Sequence, residues 1–191
     1  MDWIVNTDTI SQSILSIVRT GGSLSATQEA MILQRYIMTI YYYATTNNGA
    51  TDWDYGKDNW LSTSKNVCDW SGNVTCTGNG GVESLIHNGN YNTGISSMTL
   101  PSEIFHLSSL KKLRIVGQTN LGGRIPDDVS NLHQLTHLDL SFNALSGTIP
   151  TQFGGLTSLD YLWLSKYNTL CVQPNQLFFL PRSCNRCMHR I

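Results

Sequence analysis

The chain has 191 residues, a formal net charge of −1 and 40% hydrophobic residues, enough for a domain with a buried core and too apolar for a disordered chain. Only 13% of residues are charged, while 20 Ser, 19 Thr and 16 Asn supply the polar surface; an average globular protein has roughly 25% charged residues. This near-neutral balance argues against nucleic acid or a polybasic membrane contact, and no run approaches the roughly 18 apolar residues of a membrane span.

Met1-Asp2-Trp3 has no basic segment ahead of an apolar run, so no secretory signal is expected there. Between Asp8 and Arg19, Ile10, Ile14, Ile17 and Val18 fall at helical spacing, and Thr20-Gly21-Gly22 breaks the pattern. Ser25-x-x-Gln28 is a capping box. It opens an amphipathic helix whose apolar stripe is Ile32, Leu33, Tyr36, Ile37, Ile40 and Tyr41, ending near Thr45 to Gly49. An aromatic loop through Trp53, Tyr55, Trp60 and Leu61 then leads to Cys68-Asp69-Trp70-Ser71-Gly72-Asn73-Val74-Thr75-Cys76.

A repeat begins further on. Leu110-x-x-Leu113-x-Ile115, Leu135-x-x-Leu138-x-Leu140 and Leu159-x-x-Leu162-x-Leu164 are offset by 25 and 24 residues, within the leucine-rich-repeat period. Gly123-Arg124-Ile125-Pro126 recurs as Gly147-Thr148-Ile149-Pro150, and Met98-Thr99-Leu100-Pro101 is a degenerate upstream copy. Ile104/Leu107, Val129/Leu132 and Phe153/Leu156 supply the apolar pair of each convex segment. An irregular first unit starts at Val82-x-x-Leu85, with His87 in the third apolar position. Each leucine block is expected to be a short strand of a concave parallel sheet, with Asn143 turned inward to bond loop backbone. One extra residue in the second and fourth units leaves that ladder less regular there. No unit buries its apolar face alone, so the coils must stack and both ends need covering.

The segment Cys68 to Cys76, then Val82-x-x-Leu85 and the Leu-x-Gly-x-Ile-Pro repeats, resembles the N-terminal cap and repeats of plant-type extracellular leucine-rich-repeat proteins, with Asn73 an insertion in the cap spacing. Gln34-Arg35-Tyr36, Ile40-Tyr41-Tyr42, Trp53 and Asp58-Asn59-Trp60-Leu61-Ser62 are similar to the leucine-rich-repeat family of diatoms. The resemblance covers roughly Ala30 to Cys184. It implies an α/β fold: a short solenoid of about four coils with an α-helical N-terminal cap region. The division is residues 1–81 for the helical region and cap, 82–170 for the repeats and 171–191 for a C-terminal cap. It also implies a Cys68–Cys76 disulfide, a bridge from Cys171 to Cys184 or Cys187, and a location outside the cell or on the lumenal side of a membrane.

The pattern places Ser84, Lys112, His137 and Tyr161 in one concave column, Ile86, Arg114, Asp139 and Trp163 in the next, and Asn88, Val116, Ser141 and Ser165 in a third. Neighbouring strands are about 4.8 Å apart, which brings Arg114 within reach of Asp139. Lys112, Arg114, His137, Asp139, Tyr161 and Trp163 are the candidate binding residues, because exposed aromatics beside charges are the composition of interaction hot spots. The competing reading is that the C-terminal cap buries Tyr161 and Trp163. His137-x-Asp139-x-Ser141 has hydrolase residue types, yet alternate strand positions lie roughly 7 Å apart, too far for a catalytic triad. Neither a phosphate-binding nor a dinucleotide motif is present, and no catalytic residue or cofactor is assigned. Cys184-x-x-Cys187-x-His189 with Cys171 has zinc-ligand types, the alternative being a disulfide and a spare thiol; no metal is assigned. Asn73-Val74-Thr75 is an N-glycosylation sequon. The helix stripe is expected to cover the open first coil rather than bind lipid, its polar flank not being basic.

The sequence therefore reads as a non-catalytic recognition module taking a protein, peptide or glycan on its concave face. The alternatives are a structural or assembly subunit using helical and convex surfaces, or a fragment of a receptor ectodomain.

Overall fold

Successive leucine blocks lie side by side in a computed structural model, which describes residues 16–46, 59–70, 73–89, 98–164 and 168–171 and the backbone of 186–187. The strands are β1 (Val74–Cys76), β2 (Val82–Asn88), β3 (Met98–Thr99), β4 (Lys112–Val116), β5 (Leu121–Gly123), β6 (His137–Asp139), β7 (Ala144–Thr148), β8 (Tyr161–Trp163), β9 (Thr169–Cys171) and β10 (Arg186–Cys187). The concave sheet runs β1-β2-β4-β6-β8-β10, parallel except for β1, which is antiparallel to β2. Behind it lies a second sheet, β3-β5-β7-β9, that repeat counting did not anticipate. Gly123 (φ +78°) and Gly147 (φ +87°) fall in it at equivalent repeat positions, where the backbone takes a left-handed turn that disfavours any Cβ. Pro101, Pro126 and Pro150 then start short 3-10 turns at Ser102–His106, Asp127–Asn131 and Thr151–Gly155, which form the convex side.

All nine residues of the three leucine blocks are buried, as are the convex pairs Ile104/Leu107, Val129/Leu132 and Phe153/Leu156. Each such side chain contributes about 1.5–3 kcal/mol on leaving water. At the end of the third block Phe142 takes φ 60° and swings Asn143 inward. There Asn143 Nδ2 donates to Ile115 O (2.7 Å) and Leu140 O (2.8 Å), while Gln118 N donates to its Oδ1 (2.9 Å). The fourth unit keeps the ladder through Asn168, one residue later, which bonds Leu140 O, Leu164 O and Leu145 N. In the second unit Gln118 occupies the ladder position and reaches His87 instead, Nε2 to Nε2 at 3.0 Å.

Helix α1 (Ala26–Thr45) starts with the expected capping box, Ser25 N donating to Gln28 Oε1 at 2.9 Å. It lies over the open first coil, where Gln34 Oε1 accepts from Val82 N (2.6 Å) and Tyr41 Oη meets His87 Nδ1 (2.6 Å). Its buried face differs from the predicted stripe. Arg35, Ile37, Met38, Thr39, Tyr41, Tyr42 and Thr45 are buried, and Leu33 is 48% exposed. The physical reason is Arg35, whose guanidinium donates to Lys65 O (2.7 Å) and Ser62 O (2.9 Å) and lies over the Trp70 ring at 5.1 Å. That anchorage rotates the helix towards the cap loop. Of the earlier helix only residues 16–19 are described, and they are helical, with Thr20 N bonded to Ser16 O; Ile10 and Ile14 lie outside the described residues. No described helix is long and apolar enough to cross a membrane.

The cap is tied by a Cys68–Cys76 disulfide across 8 residues. In the chain-entropy model such a loop contributes about 2.5 kcal/mol. Cys171 is a free, exposed thiol, and its expected partners, Cys184 and the side chain of Cys187, lie outside the described residues. It sits on β9 of the back sheet, whereas residues 186–187 form β10 on the concave sheet. His189 likewise lies outside the described residues. Among the described residues no His/Cys/Asp/Glu group has a metal-holding arrangement.

Candidate ligand-binding groove on the concave sheet

Strand register places the first two columns where the repeat spacing does. Ser84, Lys112, His137 and Tyr161 align, as do Ile86, Arg114, Asp139 and Trp163. In the third column Val116 and Ser141 are buried while Asn88 is exposed, and Ser165 lies outside the described residues. Tyr161 and Trp163 are 36% and 43% exposed. Both flank a shallow groove of about 180 Å³, floored by Leu113 and Leu138 and walled by Ile86, Lys112, Arg114, His137 and Asp139. Ile86 was legible only as a column member.

Polar contacts sort these side chains. Arg114 Nε is 3.5 Å from Asp139 Oδ2. The other oxygen, Oδ1, accepts from Ser141 N (3.0 Å) and Ser141 Oγ (2.6 Å). The expected 7 Å separation of Asp139 and Ser141 therefore fails, since Ser141 lies in the turn beyond β6 and folds back. The Ser141 hydroxyl proton goes to the carboxylate, and His137 is engaged elsewhere. Thr136 Oγ1 donates to Lys111 O (2.9 Å), so at the 2.8 Å contact His137 Nδ1–H is the donor and Thr136 Oγ1 the acceptor. Nε2 keeps its lone pair. The imidazole stacks on Tyr161, with ring centres 4.3 Å apart and planes 21° from parallel. Partial burial, then the nearby Lys112 charge, lower the His137 pKa, against an opposing pull from Asp160. The ring is accordingly neutral at neutral pH and forms with Tyr161 a flat aromatic slab beside Trp163.

A parallel concave sheet, a convex side of 3-10 turns, an inward asparagine ladder and a disulfide-tied N-terminal cap define a leucine-rich-repeat solenoid. Residues 134–156 match the Leucine Rich Repeat family model. A probable LRR receptor-like serine/threonine-protein kinase, RPK1 of Arabidopsis thaliana, is 37% identical over 110 residues, which is 57% of this chain and 19% of the kinase. The match falls in the repeat part of that protein, and the chain spans about a fifth of its length. Among solved structures, a plant ice-binding protein superposes with a TM-score of 0.61 at 30% identity, over 78% of this chain and 44% of that one. The BIR3–SERK2 complex from Arabidopsis thaliana gives a TM-score of 0.52 at 24% identity, over 76% and 77% of the two chains, a likeness of fold.

Proposed function

We propose that this chain is the recognition part of an extracellular receptor-like protein, binding a peptide or protein in the concave groove through Lys112, Arg114, His137, Asp139, Tyr161 and Trp163. The observation that carries this is the exposed Tyr161 and Trp163 on β8, beside charged Arg114 and Asp139. Partly exposed aromatics of this kind contribute most of the energy where interfaces form. Peptides selected from a random library on the whole protein should lose at least about tenfold in affinity on Tyr161→Ala or Trp163→Ala, the size of a hot-spot truncation. Leu33→Glu should leave them unchanged.

The assembly reading is favoured by one observation, Leu33 standing 48% exposed on α1. It predicts the reverse pattern: Leu33→Glu abolishes self-association in sedimentation, and the β8 variants do nothing.

The extracellular location makes a separate prediction. Asn73 leads into β1, and Thr75, two residues on, is exposed, so the sequon lies at the antiparallel edge of the concave sheet. Secreted from eukaryotic cells and mapped without reduction, the protein should show a Cys68–Cys76 peptide pair and a glycan on Asn73 that Asn73→Gln removes. Five free thiols would contradict the secretory route.

A further inference from the structure

The groove's charges are not balanced. Among its lining residues two cations, Lys112 and Arg114, stand on β4 against one carboxylate, Asp139, while Asp160 lies outside the lining at the His137 end. That carboxylate is already loaded by the two Ser141 donors and by Arg114 Nε. Holding Arg114 by Nε leaves its terminal amino groups, on a side chain 46% exposed, with no hydrogen bond among the described residues. The anion a ligand would meet is spent, and the cations are presented. Two strands away, β8 presents the apolar side, Tyr161 stacked on neutral His137 with Trp163 beside it.

A spacing follows. With β6 between them, β4 and β8 lie about 9.6 Å apart, twice the interstrand distance. A polyproline II peptide returns to the same face every three residues, about 9.3 Å. An extended β-strand returns every two residues, about 6.8 Å, and misses the second site. The backbone groups of β4, β6 and β8 are committed to the parallel ladder, so a peptide cannot add to it as a strand. The polyproline II backbone carries no internal hydrogen bonds and is fully solvated, which suits an open groove.

From this we infer that the groove takes a proline-rich peptide lying across the strands in polyproline II form, with an apolar residue on Tyr161/Trp163 and an acidic residue three positions away on Arg114 and Lys112. Asp139 is a positioning residue that aims Arg114. The inference rests on the peptide-binding reading of the same groove and names the ligand class.

Calorimetry with synthetic proline-rich decapeptides tests it. A peptide containing Leu-Pro-Pro-Glu should bind, and its Leu-Pro-Glu and Leu-Pro-Pro-Lys counterparts should bind at least about tenfold more weakly. Arg114→Gln, unchanged in melting temperature, should lose about tenfold towards the acidic peptide. Asp139→Asn should lose about threefold while still preferring Glu over Lys, because it loosens the guanidinium without reversing the groove's sign. Equal or tighter binding of the Lys peptide, indifference to spacing, a reversed preference in Asp139→Asn, or binding of an oligouronate where no peptide binds would each overturn the inference. If library peptides depend on Trp163 yet contain no acidic residue, this inference falls and the peptide-binding reading stands.

Discussion

Asn143→Ala is expected to destabilise the protein by about 3–5 kcal/mol, read as a lower urea midpoint with little change in slope. The side chain is 0% exposed and makes three hydrogen bonds, two of which, to Gln118 N and Ile115 O, tie the second coil to the third. Truncation leaves Gln118 N and Ile115 O buried without this partner, each at about 1–3 kcal/mol, and adds a cavity. Leu140 O suffers less, because Asn168 Nδ2 also donates to it (2.8 Å). Asn168→Ala should therefore be milder, its side chain being only partly buried. Asn143→Asp separates the donor function from volume: it keeps the acceptor for Gln118 N but turns two donor contacts into oxygen–oxygen repulsions. It should be no more stable than the alanine variant at neutral pH. An effect below about 1 kcal/mol for Asn143→Ala would mean that the coils are held by leucine packing alone, the ladder being incidental.

The ladder also marks where sequence reading succeeds and where it stops. Leucine spacing sets which residues enter the core and, through the period of two along a strand, which leave it, so the columns containing Arg114, Asp139 and Trp163 were legible before any coordinates. The inward turn of Asn143 was legible for the same reason. What periodicity cannot register is a polar residue buried because a distant loop satisfies it. Arg35 is 1% exposed, and its partners Lys65, Ser62 and Trp70 lie 27 to 35 positions along the chain. A count of apolar positions on α1 therefore favours Leu33, which is exposed, over Arg35, which is not. The groove shows the same limit: Asp139 reads as an anion available to a ligand until the turn beyond β6 brings Ser141 back onto it. The back sheet was missed for a further reason, since strands of two to five residues, two of them containing glycine, carry no hydrophobic alternation.

Acidification from pH 7.5 to 5 should lower stability by about 2 kcal/mol through His87 alone, about 4–8 °C in melting temperature for a chain of this size. His87 stands where the repeat asks for a leucine, 5% exposed, between Tyr41 of the covering helix and Gln118 of the second coil. Burial lowers its pKa from 6.5 to about 4. Gln118 Nε2 donates to His87 Nε2, so the neutral ring donates from Nδ1 to Tyr41, and a second ring proton would face the amide donor. The sign follows from proton counting. Between pH 6.5 and 4 the unfolded chain takes up a proton that the folded chain refuses, so the contribution is fully present above about pH 6.5 and is lost as pH falls to about 4. The complete loss is about 3 kcal/mol, at 1.36 kcal/mol for each unit of the shift. The lowered pKa of His137 acts in the same direction, but through a mostly solvated ring. His87→Gln retains a polar side chain at the junction and cannot titrate, so its stability should change far less than that of the wild type over this interval, even if it is lower at pH 7.5. Parallel pH profiles for the two proteins would remove His87 as the cause. A profile that flattens in the variant, with helix α1 the first segment to lose amide protection on acidification of the wild type, would locate the effect at the junction of helix and solenoid.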